Sequence, residues 1–219
     1  MRRPTGRERT QRVKSGKGRK TSSAKWLSRH INDPYVHEAN KQGLRSRAAF
    51  KLMEMDERLK LIKPGMRVVD LGSAPGGWSQ VLGHKKAAHV AALDILPMEP
   101  LPGVNFIQMD FTDDDAPEKL KAIMGGPADL VLSDLSPNTT GHKRTDHLRM
   151  MALVEMAWLF ASEVLKPGGA FVAKVFQGGT EGDLLSQIKP RFVTVKHIKP
   201  PSSRQESSEV YLVAQNFKG

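Results

Sequence analysis

The 219-residue sequence predicts an α/β fold: a mostly parallel seven-stranded sheet, helices on both faces and an antiparallel edge strand. Three observations carry this expectation. Short apolar runs alternate with amphipathic stretches along most of the chain. Two Lys-Pro-Gly stops, Lys63-Pro64-Gly65 and Lys166-Pro167-Gly168, each close an amphipathic stretch and lead into an apolar run. The last two apolar runs have only the polar segment 199–208 between them, which points to an antiparallel pair at one edge.

The elements follow in order. Residues 26–46 are mixed and receive no assignment. Residues 48–61 carry Phe50, Met53 and Leu59 to Leu61 among charges, the pattern of an amphipathic helix. Residues 67–71 form a buried strand, with a helix from about Gly77. Strands are expected at 90–93 and 104–108, a helix at 117–124 and a strand at 129–133. A long helix at 146–165 is stopped by the second Lys-Pro-Gly. A strand at 170–175, a helix at 183–188 and two closing strands at 192–196 and 210–214 complete the domain, which spans 26–219.

The charge is uneven. Residues 1–25 hold ten Lys or Arg against the single acid Glu8, a local charge of +9, which leaves only +2 of the total +11 for the rest. That reads as a near-neutral domain with a flexible cationic arm, the kind of segment that attracts polyanions. Gly6, Gly16, Gly18 and Pro4 interrupt the arm and Val13 is nearly its only apolar residue, so it does not read as an amphipathic transit helix. No run approaches the roughly 18 apolar residues of a membrane span. Cys is absent, which removes disulfides, Cys-ligated zinc and Cys nucleophiles and fits a reducing, cytoplasmic compartment. The seven His show no metal-ligand spacing, so no metal is expected. A near-neutral body without an apolar surface stripe is expected to be monomeric.

The stretch VVDLGSAPGGWSQV, residues 68–81, sets a glycine turn directly after the first strand. In a doubly wound sheet, ligands bind beyond the carboxyl ends of the strands at the switch point. The pattern is G-x-x-x-G-G, neither the dinucleotide fingerprint nor a P-loop. Pro75 removes a backbone donor that a phosphate cradle would use. The turn therefore suits a ligand with little phosphate. Asp94, 22 residues past Gly72, is placed for ribose hydroxyls, and Asp110 after the third strand for an adenine amino group. A nucleoside without phosphates on a glycine turn points to S-adenosylmethionine. Each acid taken singly is as readily a cap or loop carboxylate.

Four further residues converge on the same edge. Asp134 follows the fourth strand and Lys174 lies near the end of the fifth, flanked by Val172, Ala173, Val175 and Phe176. Glu209 opens the last strand, whose start lies at that edge if the strand runs antiparallel. Lys51 sits on the leading helix, which covers it. A lysine inside an apolar strand is costly to bury unpaired. Lysine titrates near 10.4 in water, and burial beside another cation lowers this towards a value useful for a base. A ribose 2′-hydroxyl needs such a base. A structural ion-pair network is the plainer reading of the same residues.

These segments resemble the FtsJ/RrmJ family of ribose 2′-O-methyltransferases. The shared stretches are Gly43-Leu44-Arg45-Ser46-Arg47 with Phe50-Lys51-Leu52, VVDLGSAPGGWSQ, Asp94 to Met98, Asp134 to Asn138, Lys174 to Gly178, and Ser202-Ser203-Arg204 through Glu209-Val210-Tyr211. The resemblance implies a Rossmann-like methyltransferase fold, S-adenosylmethionine as cofactor, and methylation of a uridine ribose in 23S rRNA of the large ribosomal subunit. It puts the family's Lys-Asp-Lys-Glu tetrad on Lys51, Asp134, Lys174 and Glu209, with Lys174 the proton acceptor. It implies cofactor contacts at Gly76, Trp78, Asp94, Asp110 and Asp134. The basic arm is longer than the family's usual start.

Other classes fit less well. Carbon-5 pyrimidine methylation through Cys is excluded, and the Asp-Leu-Ser-Pro-Asn loop is not the Asn/Asp-Pro-Pro-Tyr loop of amino-nitrogen methylation. A methyltransferase acting on tRNA or another RNA, and a ribosome-assembly factor with secondary activity, remain as alternatives. Arg45, Arg47 and Arg204 flank the tetrad in sequence and are candidates for phosphate contacts.

Overall fold

The computed structural model describes residues 27–138, 140–177 and 182–219. The expected arm, 1–25, lies outside them. The unassigned stretch contains a helix, α1 (Pro34–Lys41), whose start is local chemistry: Asp33 caps it by accepting from Tyr35 N at 3.0 Å, and Pro34 fills its first turn. Next, α2 (Ala48–Leu59) ends two residues short of expectation. Lys60 turns left-handed (φ 55°), and the Asp56 side chain accepts from Ile62 N at 2.8 Å. Leu61 and Ile62 therefore enter the core from an extended segment rather than from a helix.

The sheet and its crossovers follow: β1 (Arg67–Leu71), α3 (Gly77–His84), β2 (His89–Asp94), β3 (Val104–Gln108), α4 (Ala116–Met124), β4 (Ala128–Ser133), α5 (Lys143–Val164), β5 (Leu165–Phe176), α6 (Gly182–Arg191), β6 (Phe192–Ile198) and β7 (Glu209–Phe217). The strand order is β3-β2-β1-β4-β5-β7-β6. Neighbours from β3 to β5 pair parallel, while β7 runs antiparallel to both β5 and β6. The expected antiparallel pair thus closes one end, with β7 set one place in and β6 on the rim. The order reverses between β1 and β4, and the glycine turn follows β1 at that switch point.

The second Lys-Pro-Gly is not a stop before a loop. α5 passes into β5 at Leu165, whose backbone is already extended (φ −70°, ψ 133°), and Lys166-Pro167-Gly168 lies inside the strand. The β4–β5 register jumps between Ala128↔Leu165 and Leu130↔Ala170. A proline, which has no N–H to give a ladder, is tolerated at such an irregularity.

Strand alternation divides the core between two faces. Val68, Val90, Leu130, Leu132, Val172, Tyr211 and Val213 pack under α2 and α3. Val69, Leu71, Ala91, Leu93, Val131, Phe171 and Ala173 pack under α4, α5 and α6. Among the described residues, no helix is long and apolar enough to cross a membrane.

Candidate active site

The period of two places the expected tetrad. Leu130 and Leu132 face α2, so Asp134 at the end of β4 follows on that side; Val172 does the same for Lys174. Lys174 is directly opposite Tyr211 in the β5–β7 ladder, and Glu209 lies two residues before Tyr211 on the same face. Lys51 comes down from α2. The four side chains meet in one chain of contacts. Lys174 Nζ, on a residue only 5% exposed, donates to the Asp134 carbonyl at 2.8 Å and pairs with its Oδ1 at 3.3 Å. Lys51 Nζ pairs with Glu209 Oε2 at 3.1 Å.

The link between these two pairs is a residue the sequence reasoning left out. The Tyr211 hydroxyl accepts from Lys51 Nζ at 3.1 Å and donates to Asp134 Oδ1 at 2.8 Å. The signal was available: a residue two positions after a candidate on a strand shares its face. Its ring is fully buried and lies against Trp78, centroid to centroid 5.6 Å.

Burial alone would raise the Asp134 and Glu209 carboxyls, but Lys174 and Lys51 outweigh it and hold both below the usual range. The Tyr211 hydroxyl is pushed well above its ordinary value, first by burial, then by Asp134 and Glu209. It stays protonated and serves as a neutral donor to Asp134.

Asp70, in β1 one residue from the turn's start, behaves differently. It is 0% exposed, accepts from Ser79 Oγ at 2.6 Å through Oδ2, and among the described residues has no hydrogen-bond donor at Oδ1. Burial pushes its carboxyl up to about 7, with Asp134 and Asp94 adding to the rise. Between its ordinary value and about 7, the folded chain keeps this proton and the unfolded chain does not, so stability falls as pH rises through that window. Asp70→Asn, which is always neutral, should escape that loss. Its stability relative to the parent is expected to rise by on the order of 4 kcal/mol between pH 4 and pH 8. Thermal melts of both proteins across that range check it; parallel curves would remove the assignment.

Beside the tetrad a cavity of about 560 Å³ opens at the switch point. Gly72, Ala74, Asp94, Asp110 and Asp134 line it, with Leu93, Phe111, Leu135, Leu153 and Met156 as apolar walls. Its size suits a nucleoside-sized ligand. Among the described residues that line it, Arg149 is the sole Lys or Arg, consistent with a ligand that carries no phosphate. Asp94 uses each carboxylate oxygen once, Oδ2 for Ala74 N and Oδ1 for Leu96 N, both at 2.8 Å. A second lone pair on each oxygen is left for ribose hydroxyls. Asp110 Oδ1 accepts from Thr112 N and Oγ1, leaving Oδ2 available. Asp134 belongs to both the cavity wall and the tetrad.

Two expected cofactor contacts sit elsewhere. Gly76 is the α3 N-cap (φ 104°), where a Cβ would meet Arg45 and Met98 at 3.0 Å. Trp78 is 3% exposed and its indole donates to the Ala48 carbonyl at 2.8 Å, tying α3 to the start of α2. Neither lines the cavity. The three arginines are also engaged within the fold. Arg45 donates to the carbonyls of Pro75, Glu99 and Pro100. Arg47 and Arg204 converge on Asp33, and burial, partly offset by Asp33, lowers the Arg47 guanidinium from its ordinary value.

The architecture is the Rossmann-like fold of methyltransferases. A ribosomal RNA methyltransferase assigned in Plasmodium falciparum superposes with a TM-score of 0.70 at 32% identity, covering 80% of this chain and 99% of that one. Residues 44–217 match the FtsJ-like methyltransferase family, and this chain is a member of it. Two bacterial relatives carry the name ribosomal RNA large subunit methyltransferase E. That of Gluconobacter oxydans is 55% identical over 214 residues, spanning 98% of this chain and 80% of its own. That of Novosphingobium aromaticivorans is 59% identical over 210 residues, spanning 95% of each.

Proposed function

We propose that this methyltransferase transfers a methyl group from S-adenosylmethionine to the ribose 2′-hydroxyl of a uridine in 23S rRNA of the large ribosomal subunit, acting as a cytoplasmic monomer. The observation that carries the reading is the buried Lys174 amine, held by Asp134, which also walls the nucleoside-sized cavity. A base and a cofactor thereby share one carboxylate.

Asp94 and Asp110 would hold the cofactor's ribose and base, and Asp134 its reacting end. Gly76 and Trp78 shape the turn and the helix behind it. When bound, the cofactor supplies an electrophilic methyl group. Lys174 would accept the proton of the 2′-hydroxyl, leaving its oxygen nucleophilic toward that methyl group. Asp134 and Glu209 orient Lys174 and Lys51. Lys51 and Tyr211 fix the hydroxyl's approach. The domain 26–219 carries the reaction and the arm 1–25 adds affinity for RNA phosphates.

The test uses methyl-labelled S-adenosylmethionine and large subunits from cells lacking the enzyme, followed by digestion to nucleosides. Label is expected in 2′-O-methyluridine. Label on a base would overturn the role of Lys174. Label on tRNA but not on subunits would keep the chemistry and reject the substrate.

A further inference from the structure

Lys51 and Glu209 are 158 residues apart and ride on different elements. The β5–β7 ladder fixes Glu209 and Tyr211 relative to Lys174. It does not fix α2, which carries Lys51. α2 packs on the sheet through Phe50, Leu52 and Met55, and at its far end the Leu59 carbonyl accepts from Gln215 Nε2 of β7 at 3.3 Å; near Lys51 the β6–β7 loop grips it through Ser202. Ser202 is 0% exposed, and all three of its polar groups are bonded to α2 or its cap. Its N–H and Oγ both donate to Glu54 Oε2, at 2.8 and 2.6 Å. Its carbonyl accepts from the guanidinium of Arg47, the α2 N-cap residue. Arg47 and Glu54 bracket Lys51, and Glu54, one turn on, shares its helix face.

The loop that carries Ser202 is itself closed. Lys199 Nζ donates to the carbonyls of Gln205 and Ser207 at 3.2 and 2.7 Å, and Ser203 N to that of Pro200 at 2.9 Å. At its far end Glu209 N donates to Ser207 Oγ at 3.2 Å, and Gln177 N of the β5 end donates to Ser208 O at 2.5 Å. A loop tied in this way moves as a unit, so the place where Ser202 grips α2 sets the distance between Lys51 and Glu209. None of Arg47, Glu54 and Ser202 lines the nucleoside-sized cavity.

We propose that Ser202 and Glu54 form a positioning pair for the methyl-transfer reaction: their double hydrogen bond clamps α2 to the β6–β7 loop and so sets Lys51 against Glu209 and Tyr211. The inference rests on the tetrad reading above. Charge-assisted bonds to one carboxylate oxygen are short and directional, which suits them to fixing a geometry. Positioning losses of this kind appear in turnover more than in binding.

The experiment compares Glu54→Ala, Glu54→Gln and Ser202→Ala in the full chain, with labelled cofactor and large subunits. Glu54→Ala is expected to lower kcat by about 10- to 100-fold with the cofactor KM changed less than about threefold. Glu54→Gln keeps an accepting oxygen and should return to within about threefold of the parent. The acid limb of the kcat–pH profile of Glu54→Ala should move up, because Lys51 no longer helps Lys174 hold Glu209 and Asp134 down. A kcat within threefold of the parent, or Glu54→Gln as poor as Glu54→Ala, overturns the proposal. If Glu54→Ala does not fold, Ser202→Ala, which loses only the hydroxyl, carries the same readouts. Crystal structures of the parent and Ser202→Ala decide independently of activity. A Lys51–Glu209 separation that lengthens beyond hydrogen-bond reach supports the clamp, and an unchanged one rejects it. A parent that labels no ribose therefore defeats the proposed function alone.

Discussion

Replacing Lys174 by alanine is expected to lower kcat by about 10³-fold or more while leaving cofactor affinity within about threefold. A general base contributes typically 10²–10⁴-fold, and among the described residues Lys174 is the buried lysine at this edge. The cofactor should be little affected because Lys174 does not line the cavity. Its removal has a second consequence. Asp134 is held low by Lys174 and Lys51 against the opposing effect of burial. With Lys174 gone, burial regains ground and the carboxyl rises. The parent keeps the stability that an ionised Asp134 contributes until the pH falls below the usual carboxylate range; the variant should lose it at higher pH. Single-turnover rates, cofactor titration and melts at two pH values read all three effects. A variant retaining a tenth of the parent's kcat would show that the base lies elsewhere.

Much of this site was legible because strands encode faces by parity. Asp134, Lys174 and Glu209 could be brought to one edge from strand ends alone, and β1 and β3 fall on the expected residues. Tyr211 followed from the same parity but was passed over, since a tyrosine in an apolar strand reads as core, and it is core as well as network. The in-fold partners of the arginines were not legible in the same way. Their place in the sequence next to tetrad residues suggested phosphate contacts. Asp33 collects two of them from 14 and 171 residues away, and no local pattern encodes that. The helix-to-strand junction at Leu165 was misjudged because Lys-Pro-Gly is a good terminator in isolation. Pairing with β4 across an irregular register draws the same residues into the sheet. Glu54 and Ser202 were invisible for the same reason as Asp33: their bond spans 148 residues.

Gly72→Ala is expected to damage stability, cofactor binding and turnover together, unlike Lys174→Ala, which should separate them. Gly72 has a φ of 77°, which an L side chain adopts only with strain of about 1–3 kcal/mol. The added Cβ would also lie 2.8 Å from Leu135 N and 2.9 Å from the Asp134 carbonyl carbon. Both are backbone atoms, so no side-chain rotation relieves the contact. The backbone cannot easily retreat either. Gly72 N donates to Leu93 O at 2.8 Å and Asp134 N donates to Leu71 O at 2.9 Å, which pins the turn between β2 and the β4 end. Overpacking of this sort adds about 1–3 kcal/mol, for a total of roughly 2–6 kcal/mol. In a chain of this length, at about 3 °C per kcal/mol, that corresponds to a Tm lower by about 6–18 °C. The segment that must yield carries Asp134, which serves both cavity and tetrad, so affinity and rate should fall together. Gly83→Ala is the matching control: a Cβ there meets nothing within 4 Å and sits in α3, where alanine is the better helix former. It should hold or raise Tm and leave activity alone. If Gly72→Ala melts and turns over like Gly83→Ala, the turn is not packed against the Asp134 segment as tightly as these distances require.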